Sequence, residues 1–334
     1  MVAVPALVQE TTASAQDAVA NANVLVGGAA PAAARSFAAS KFAIELDGLF
    51  AGWVYSTEGG DATADVVVET LGEDHIQRKH IGGVKYEDIT VTCGTGMSKA
   101  FYEWIKGSFD LKPTRKNGAI MAADFNAMEM SRLSFSNALI TEIGFPALDA
   151  ASKDAAKMTL KFSPEYTRLS FGGGGILQGQ SAKQQKKWLT SNFKLEIGGL
   201  DTTRVNKIEA LVIKQKVVEN AVGEQRDYQK EPANLEVPNL VITFPESHAT
   251  GFYQWHEDFV IKGNNGQEQE KNGALNFLSP TLQESFFTLS FGHLGIFKLA
   301  PETAQTTGDT IRRLKAEMYC EEIKFDYGGS TAGA

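Results

Sequence analysis

The sequence has 334 residues, with 40 acidic against 32 basic side chains and a formal net charge of −8. An acidic chain without a basic run does not suit a protein that binds nucleic acid by neutralising its phosphates. No stretch of about 18 or more apolar residues occurs, so no membrane span is predicted. Two cysteines, Cys93 and Cys320, are too few for a disulfide framework and predict synthesis in the reducing cytoplasm.

The first 40 residues are rich in Ala, Val, Ser and Thr, and Arg35 is their only cation. They lack the basic start that is typical of a secretory signal. We predict an Ala-rich arm over residues 1–40, which is either disordered or becomes ordered by crossing to a neighbouring ring on assembly.

The stretch "KFAIELDGLF" (Lys41–Phe50) follows the arm, and the similar "NFKLEIGGLD" (Asn192–Asp201) begins 151 residues later, at 192 instead of 41. Both alternate apolar and charged residues, and a period of two is typical of a strand with one buried and one solvated face. The buried face of the first strand is predicted to contain Phe42, Ile44 and Leu46. The solvated face is predicted to contain Lys41, Ala43, Glu45 and Asp47.

Further motifs repeat at nearly the same spacing. Trp104 in "AFYEWI" and Trp255 in "GFYQWH" are also 151 residues apart, as are "ITVT" from Ile89 and "LVIT" from Leu240. The offset grows to 155 for "KNGAI" and "KNGAL", and to 156 for "LSFSNAL" and "LSFGHLG", as loop insertions would cause. We interpret the chain as a tandem duplication with domains at 41–171 and 191–327, a Gly-rich and polar linker at 172–190 and a flexible tail at 328–334.

Each domain is predicted to be mainly strand with one helix. The helices are indicated by apolar residues at spacings of three, four and seven, namely Phe101, Trp104 and Ile105 in one domain and Phe252, Trp255 and Phe259 in the other. Such spacing is typical of a helix that packs an aromatic stripe against a sheet.

Motifs that would indicate catalysis are missing from the sequence. The five histidines form no HExxH or paired ligand spacing, and neither "GGGG" nor "CGTGMSK" has the spacing of a phosphate-binding loop. No GxSxG motif occurs, and neither cysteine has an evident base. We therefore predict no catalytic, cofactor-binding or metal-binding residues, no cofactor and no enzyme activity.

The stretch "RKHIGGVKYEDITVTCG" (Arg78–Gly94), followed by "FYEWI", resembles the tail-tube proteins of contractile phages and related injection particles. "FAIELDGL" resembles the first strand of that family, and the resemblance spans Phe42 to about Phe171. Ile81 stands where the family pattern usually has Pro. The second domain keeps "FKLEIGGL", "LVIT" and "FYQW", but "EPANLEVPN" replaces the Val-Lys-Tyr stretch.

The resemblance implies a mainly β (β+α) fold of two tandem tail-tube-like β-sandwich or half-barrel domains, each with a flanking helix. It implies rings of six domains that stack into a hollow tube, in which charged residues such as Lys41, Glu45 and Asp47 could line a wet lumen. The implied partners are further copies of the chain, a surrounding sheath protein, baseplate proteins, and a payload of DNA or effector protein. The implied mature location is a phage tail or a contractile injection particle.

The resemblance leaves several alternatives open. A ring could contain three chains with pseudo-sixfold symmetry or six chains with the second domain in another layer, and the chain could form the bulk tube or a terminal ring. A rival hypothesis is a carbohydrate- or ligand-binding pair of β-sandwiches, with exposed aromatic platforms at Trp53, Tyr55 and Trp188.

Overall fold

The computed structural model describes residues 41–70, 76–172, 175–177, 188–221, 227–302 and 311–328. The predicted arm, most of the predicted linker and all but Gly328 of the predicted tail lie outside these residues. The described part is mainly β, with a closed six-strand barrel, a half-barrel sheet and few helices, which confirms the predicted fold class.

Outside residues 71–75, the N-terminal module (residues 41–171) has ten strands and one α-helix. They are β1 (Lys41–Leu46), β2 (Leu49–Gly59), β3 (Ala62–Thr70), β4 (Gln77–Tyr86), β5 (Ile89–Cys93), α1 (Lys99–Phe109), β6 (Lys116–Ala123), β7 (Glu129–Phe145), β8 (Leu148–Asp149), β9 (Met158–Ser163) and β10 (Tyr166–Phe171). Strands β7, β6, β1, β2, β5 and β9 lie side by side in that order, and β9 pairs again with β7 to close the barrel. Strand β10 pairs with another part of β7, and β3 and β4 form a hairpin of their own.

The C-terminal module (residues 191–327) has eight strands in its described part. These strands and one α-helix, α2, follow in chain order: β11 (Phe193–Ile197), β12 (Lys207–Ile208), β13 (Leu211–Asn220), β14 (Gln229–Glu236), β15 (Leu240–Pro245), α2 (Thr250–His256), β16 (Lys271–Leu278), β17 (Ser285–Pro301) and β18 (Arg313–Tyr327). Short helical turns occur at Glu246–His248, Glu257–Ile261 and Gln267–Gln269. The half-barrel sheet has the order β11, β16, β17, β18, β15, β12 and β8, so its last strand comes from the N-terminal module.

Strand β1 follows the predicted alternation only on one face. Ile44 and Leu46 are buried as predicted. The opposite face is not simply solvated, because Ala43 is also fully buried in a small cluster with Ala119 and Met121. On that same face, Glu45 forms an ion pair with Arg132 at 3.1 Å. The prediction of a fully solvated face is therefore wrong at Ala43, which a second apolar layer covers.

Both predicted aromatic stripes are confirmed as helix faces that enter the core. Ser98 caps α1, since its Oγ accepts a hydrogen bond from the Phe101 amide at 3.4 Å. Buried residues of α1 include Phe101, Trp104 and Ile105, and those of α2 and the following turn include Phe252, Trp255 and Phe259. The second stripe extends past α2 because the chain continues as a helical turn over Glu257–Ile261.

A single hydrophobic cluster contains side chains of both modules. Phe145 of β7 stacks on Phe277 of β16 with ring centroids 5.4 Å apart. Trp188, which precedes the C-terminal module, is 3% exposed and packs edge-on against Phe277 and Phe287. The modules are thus joined by a common core.

Candidate assembly surfaces

The barrel sheet of the N-terminal module continues into the C-terminal module. Strand β13 pairs antiparallel with the end of β7, so that Leu211 lies opposite Phe145 and Lys214 opposite Glu142. The β13–β14 hairpin of the C-terminal module therefore extends the barrel sheet of the N-terminal module. Backbone pairing at a strand edge requires no particular side chains, so such an edge can accept a hairpin from another module or another chain.

Polar side chains of the N-terminal module hold β14 in place. Arg115 donates to the Lys230 carbonyl at 2.8 Å, and the Lys230 amide donates to the Glu165 carboxylate at 2.8 Å. Asn137 donates to the other oxygen of Glu165 at 2.7 Å, and Arg115 also forms an ion pair with Glu231 at 2.8 Å. These contacts bind both the amide and the carbonyl of Lys230, and together we call them the clamp.

The Lys230 side chain enters the same junction. Its Nζ donates to the Ser163 hydroxyl at 2.7 Å, and the side chain is 7% exposed. Burial lowers the pKa of this amine, because the charged form loses its hydration, while nearby carboxylates act in the opposite direction. A lysine buried at this position adds polar specificity to the junction.

Helix α1 forms the apolar half of the junction. Tyr102 of α1 stacks on Tyr327 of β18 with ring centroids 5.4 Å apart. At the edge of this contact, Lys106 Nζ lies 2.5 Å from Asp326 Oδ1 and donates to the Phe325 carbonyl at 3.1 Å. The helix of one module is therefore a docking element for the sheet of the other.

Several sheet edges have no strand beside them within the described ranges, among them the outer edges of β10, β11 and β14, and two further edges bear on assembly. One is the end of β17, Lys298–Pro301, which pairs with β18 on one side only. The other is the β3–β4 hairpin, whose two strands pair only with each other. A two-stranded hairpin is marginally stable by itself, and open edges attract further strands.

Two apolar patches are also exposed. One is formed by Tyr253 of α2 with Val260 and Ile261 of the following helical turn, which are 47, 40 and 70% exposed. The other lies on β10 and contains Leu169 and Phe171, which are 54 and 76% exposed. Clustered apolar side chains of this size on a surface are typical of protein–protein contacts.

One group of side chains in the described part of the chain could hold a metal ion. Ligand atoms of Glu270, His293 and Glu321 lie within 4.8 Å of one another. Glu270 already accepts hydrogen bonds from Tyr319 Oη at 2.6 Å and His293 Nδ1 at 2.9 Å. Burial, with help from Glu270, raises the pKa of Tyr319 to about 12. The sequence analysis missed this group because its members are far apart in the chain.

Neither cysteine is a suitable nucleophile. Cys93 is fully buried and Cys320 is 8% exposed, and burial raises the pKa of each thiol to about 12. Thiolates would therefore be scarce at neutral pH.

An open cleft of about 460 Å³ beside β11 is lined in part by Phe193, Leu200 and Asp201.

The aromatic platforms of the rival ligand-binding hypothesis are not all exposed. Trp188 is buried in the common core, so its predicted role as a platform is wrong. Trp53 is half-buried and packs edge-on against Phe50 at 5.3 Å, whereas Tyr55 is 55% exposed. The three side chains therefore do not form one exposed platform.

No helix in the described ranges has the length and apolar character to cross a membrane.

Fold and surfaces together define a structural protein with edges suited to self-assembly. Residues 38–168 match the sequence model of the T4-like virus tail tube protein gp19 family, which confirms the predicted resemblance over the N-terminal module. The N-terminal module thus resembles structural proteins of the tail-tube class. No curated protein matches the chain.

Several solved structures are similar to part of the chain. A chain of the anti-feeding prophage cap, a tube-terminating cap, is 20% identical, with 44% of this chain and 99% of that chain covered and a TM-score of 0.37. A chain of the sheath-tube complex of the extracellular contractile injection system PVC is 19% identical, with coverage of 42% and 95% and a TM-score of 0.37. Hcp1 from Flavobacterium johnsoniae is 17% identical, with coverage of 40% and 96% and a TM-score of 0.24.

Proposed function

We propose that this chain is a structural subunit of the inner tube, or of a ring that terminates it, in a contractile phage tail or injection particle. The observation that carries the proposal is the match of residues 38–168 to a tail tube family. The open edges and exposed apolar patches support it, because a subunit of a ring needs complementary surfaces on two sides.

In this proposal three chains form one ring of six modules. The resemblance implies six modules per ring, and each chain contributes two. The modules are the tandem domains 41–171 and 191–327 of a duplicated ancestor. The pairing of β13 with β7 supports this arrangement, since one module-to-module contact is already present inside the chain.

Stacked rings would enclose a lumen for a payload of DNA or effector protein. The surrounding sheath and the baseplate would bind the outside and the end of such a tube. A net charge of −8 would favour passage of a polyanion without adhesion, because like charges repel.

The proposal is tested by mass measurement and electron microscopy of the purified full chain. A ring of three chains has three times the 36.1 kDa mass of one chain, whereas a ring of six chains has twice the mass of that trimer. We expect annular particles with the trimer mass per layer, and filaments if rings stack. Monomers of 36.1 kDa at every concentration, without annuli, would overturn the proposal.

A further inference from the structure

The strands at the junction between the two modules have counterparts in both modules, so the geometry of one contact can be inferred from that of another. Strands β7 and β17 both have 17 residues, and the bulge between Ile140 and Glu142 of β7 recurs between Ile296 and Lys298 of β17. Asn137 and His293 lie at the same offset, and both have a positive φ, of 51° and 55°. Positions in β7 therefore map onto β17 by adding 156.

The two hairpins correspond equally well. The pair nearest the turn is Thr70–Gln77 in β3–β4 and Asn220–Gln229 in β13–β14. The third pair from the turn is Val68–Lys79 in the first hairpin and Val218–Glu231 in the second. Positions therefore map by adding 150 in β3 and 152 in β4.

This mapping relates the open end of β17 and the β3–β4 hairpin to a contact that is already formed inside the chain. The edge of β7 that receives β13 corresponds to Lys298–Pro301 of β17, and β13 corresponds to β3. A β3 strand from a neighbouring chain would therefore place Ala62 opposite Ala300 and Ala64 opposite Lys298. Pro301 takes the position of Phe145 and has no amide hydrogen, so the paired stretch would end at Ala300.

The exposed apolar patches map onto a buried contact in the same way. Tyr253 corresponds to Tyr102, which is fully buried against Tyr327. Phe171 corresponds to Tyr327 itself, yet Phe171 is 76% exposed. Counterparts of both stacked residues are thus exposed, one in each module, as expected for a head-to-tail contact between copies.

Charges at the clamp are the main difference between the two junctions. Arg115 directly precedes β6 as Glu270 directly precedes β16, and Glu165 maps onto Glu321. Within the chain, Arg115 pairs with Glu231. At the corresponding contact between two chains, Glu270 would replace Arg115 and Lys79 would replace Glu231. An ion pair could therefore form at the same position with the acidic and basic partners exchanged.

The neighbouring positions keep their sign, since Glu321 corresponds to Glu165 and Arg78 to Lys230. The C-terminal module has two carboxylates here, the exposed Glu321 and Glu270, whose side chain is 7% exposed and bonded to His293 and Tyr319. The N-terminal module has Arg115 with Glu165 at these positions. The hairpin that would dock there has Arg78 and Lys79 where β14 has Lys230 and Glu231. A doubly acidic receptor thus faces a doubly basic hairpin.

Resting on the proposed function, we infer that the ring closes by seating the β3–β4 hairpin of one chain on the Lys298–Pro301 edge of the next, with Lys79 beside Glu270. The reversed polarity makes each hairpin fit only its own receptor. A β3–β4 hairpin at Arg115 would place Lys79 against a like charge, which is costly in a contact. N-terminal and C-terminal modules therefore alternate around the ring.

The register is tested by disulfide trapping between two single variants of the full chain, Ala62→Cys and Ala300→Cys. When the two are mixed and oxidised, we expect a dimer on a non-reducing gel, because only an intermolecular contact can join them. The double variant in one chain should give covalent trimers. The matched control replaces Ala62→Cys by Thr63→Cys, since a shift of one residue turns the thiol to the opposite face of the strand.

The polarity is tested by Lys79→Glu, with Lys153→Glu as an exposed control of equal charge change. We expect Lys79→Glu to raise the concentration needed for half-assembly about tenfold or more, and Lys153→Glu to leave it unchanged. Adding Glu270→Arg to Lys79→Glu should restore assembly, because it recreates the polarity of the Arg115–Glu231 pair. The trapping result stands by itself if Glu270→Arg fails to fold.

Failure of this inference differs from failure of the proposed function. Rings of the unaltered chain together with no trapping at Ala62–Ala300, or with equal trapping at Thr63–Ala300, would overturn the inferred contact and leave the tube function standing. A chain that forms no rings at all would overturn both.

Discussion

Phe109 of α1 lies flat against Phe325 of β18, with ring centroids 5.5 Å apart and planes 21° from parallel. The two residues belong to different modules, and both are buried. This contact makes the folding of each module dependent on the other.

Replacing Phe325 by Ala should therefore destabilise the whole chain. Phe325 is fully buried and also contacts Phe287 at 5.7 Å, so we expect a loss of about 3–5 kcal/mol in the free energy of unfolding. Urea denaturation followed by circular dichroism measures it, and Phe125→Ala, at a side chain that is 81% exposed, serves as the control. Two separate transitions in the unaltered chain would contradict the common core.

The repeated "KNG" motif predicts a second sensitive position. A Cβ added at Gly118 would lie 2.0 Å from the Glu45 carbonyl oxygen of the adjacent strand. This clash is with backbone, which cannot easily move away. Gly118→Ala should cost about 1–3 kcal/mol or more by thermal or urea unfolding. Gly175→Ala meets nothing within 4 Å and should change stability by less than about 0.5 kcal/mol. Equal effects at the two glycines would show that close approach is not the cause.

The clamp inside the chain can be measured with a double-mutant cycle. The ion pair of Arg115 and Glu231 is 38 and 54% exposed, so its coupling energy should be about 0.2–1 kcal/mol. Arg115→Ala alone should cost more than Glu231→Ala, because it also removes the donor to the Lys230 carbonyl. A control cycle combines Arg115→Ala with Glu236→Ala. Its two effects should be additive, because Glu236 pairs with Lys216 and not with Arg115. Additivity in the first cycle would argue against the pair.

Asp201 predicts a specific pH dependence. The Thr203 hydroxyl first, and His248 second, lower the pKa of Asp201 to about 2 from the usual 3.8. A carboxylate with a depressed pKa stabilises the fold above its unfolded value, and the contribution is lost as pH falls through the folded value. The stability difference between the unaltered chain and Asp201→Ala should thus be complete above pH 4 and shrink toward pH 2. A constant difference over that range in urea titrations would refute the assignment, and Thr203→Ala should weaken the effect.

Thiol labelling tests the burial of the cysteines. Because the pKa of Cys93 and Cys320 is raised to about 12, we expect no reaction with a disulfide reagent at pH 8 in the folded chain. In denaturant both thiols of the chain should react. Rapid labelling of one thiol in the folded chain would mean that its strand opens readily.

Local sequence patterns were enough to predict several strands, such as β1 and β11, and the two helices with their buried aromatic stripes. These follow from periodicity, since side chains on a strand alternate and those on a helix recur every three or four residues. The motif around Arg78–Gly94 likewise indicated the tail-tube class without any coordinates. Ala43 shows the limit of such reasoning, because a second apolar layer covers a face that alternation alone makes solvated.

Which strand edges meet is settled only in the folded chain. Strand β13 leaves its own module and pairs with β7, and Glu270 comes together with Glu321 although the two are far apart in the sequence. Edge pairing uses backbone groups that every residue has, so no local pattern specifies the partner. For the same physical reason, the sequence does not specify which strand pairs with Lys298–Pro301, an edge that is open among the described residues.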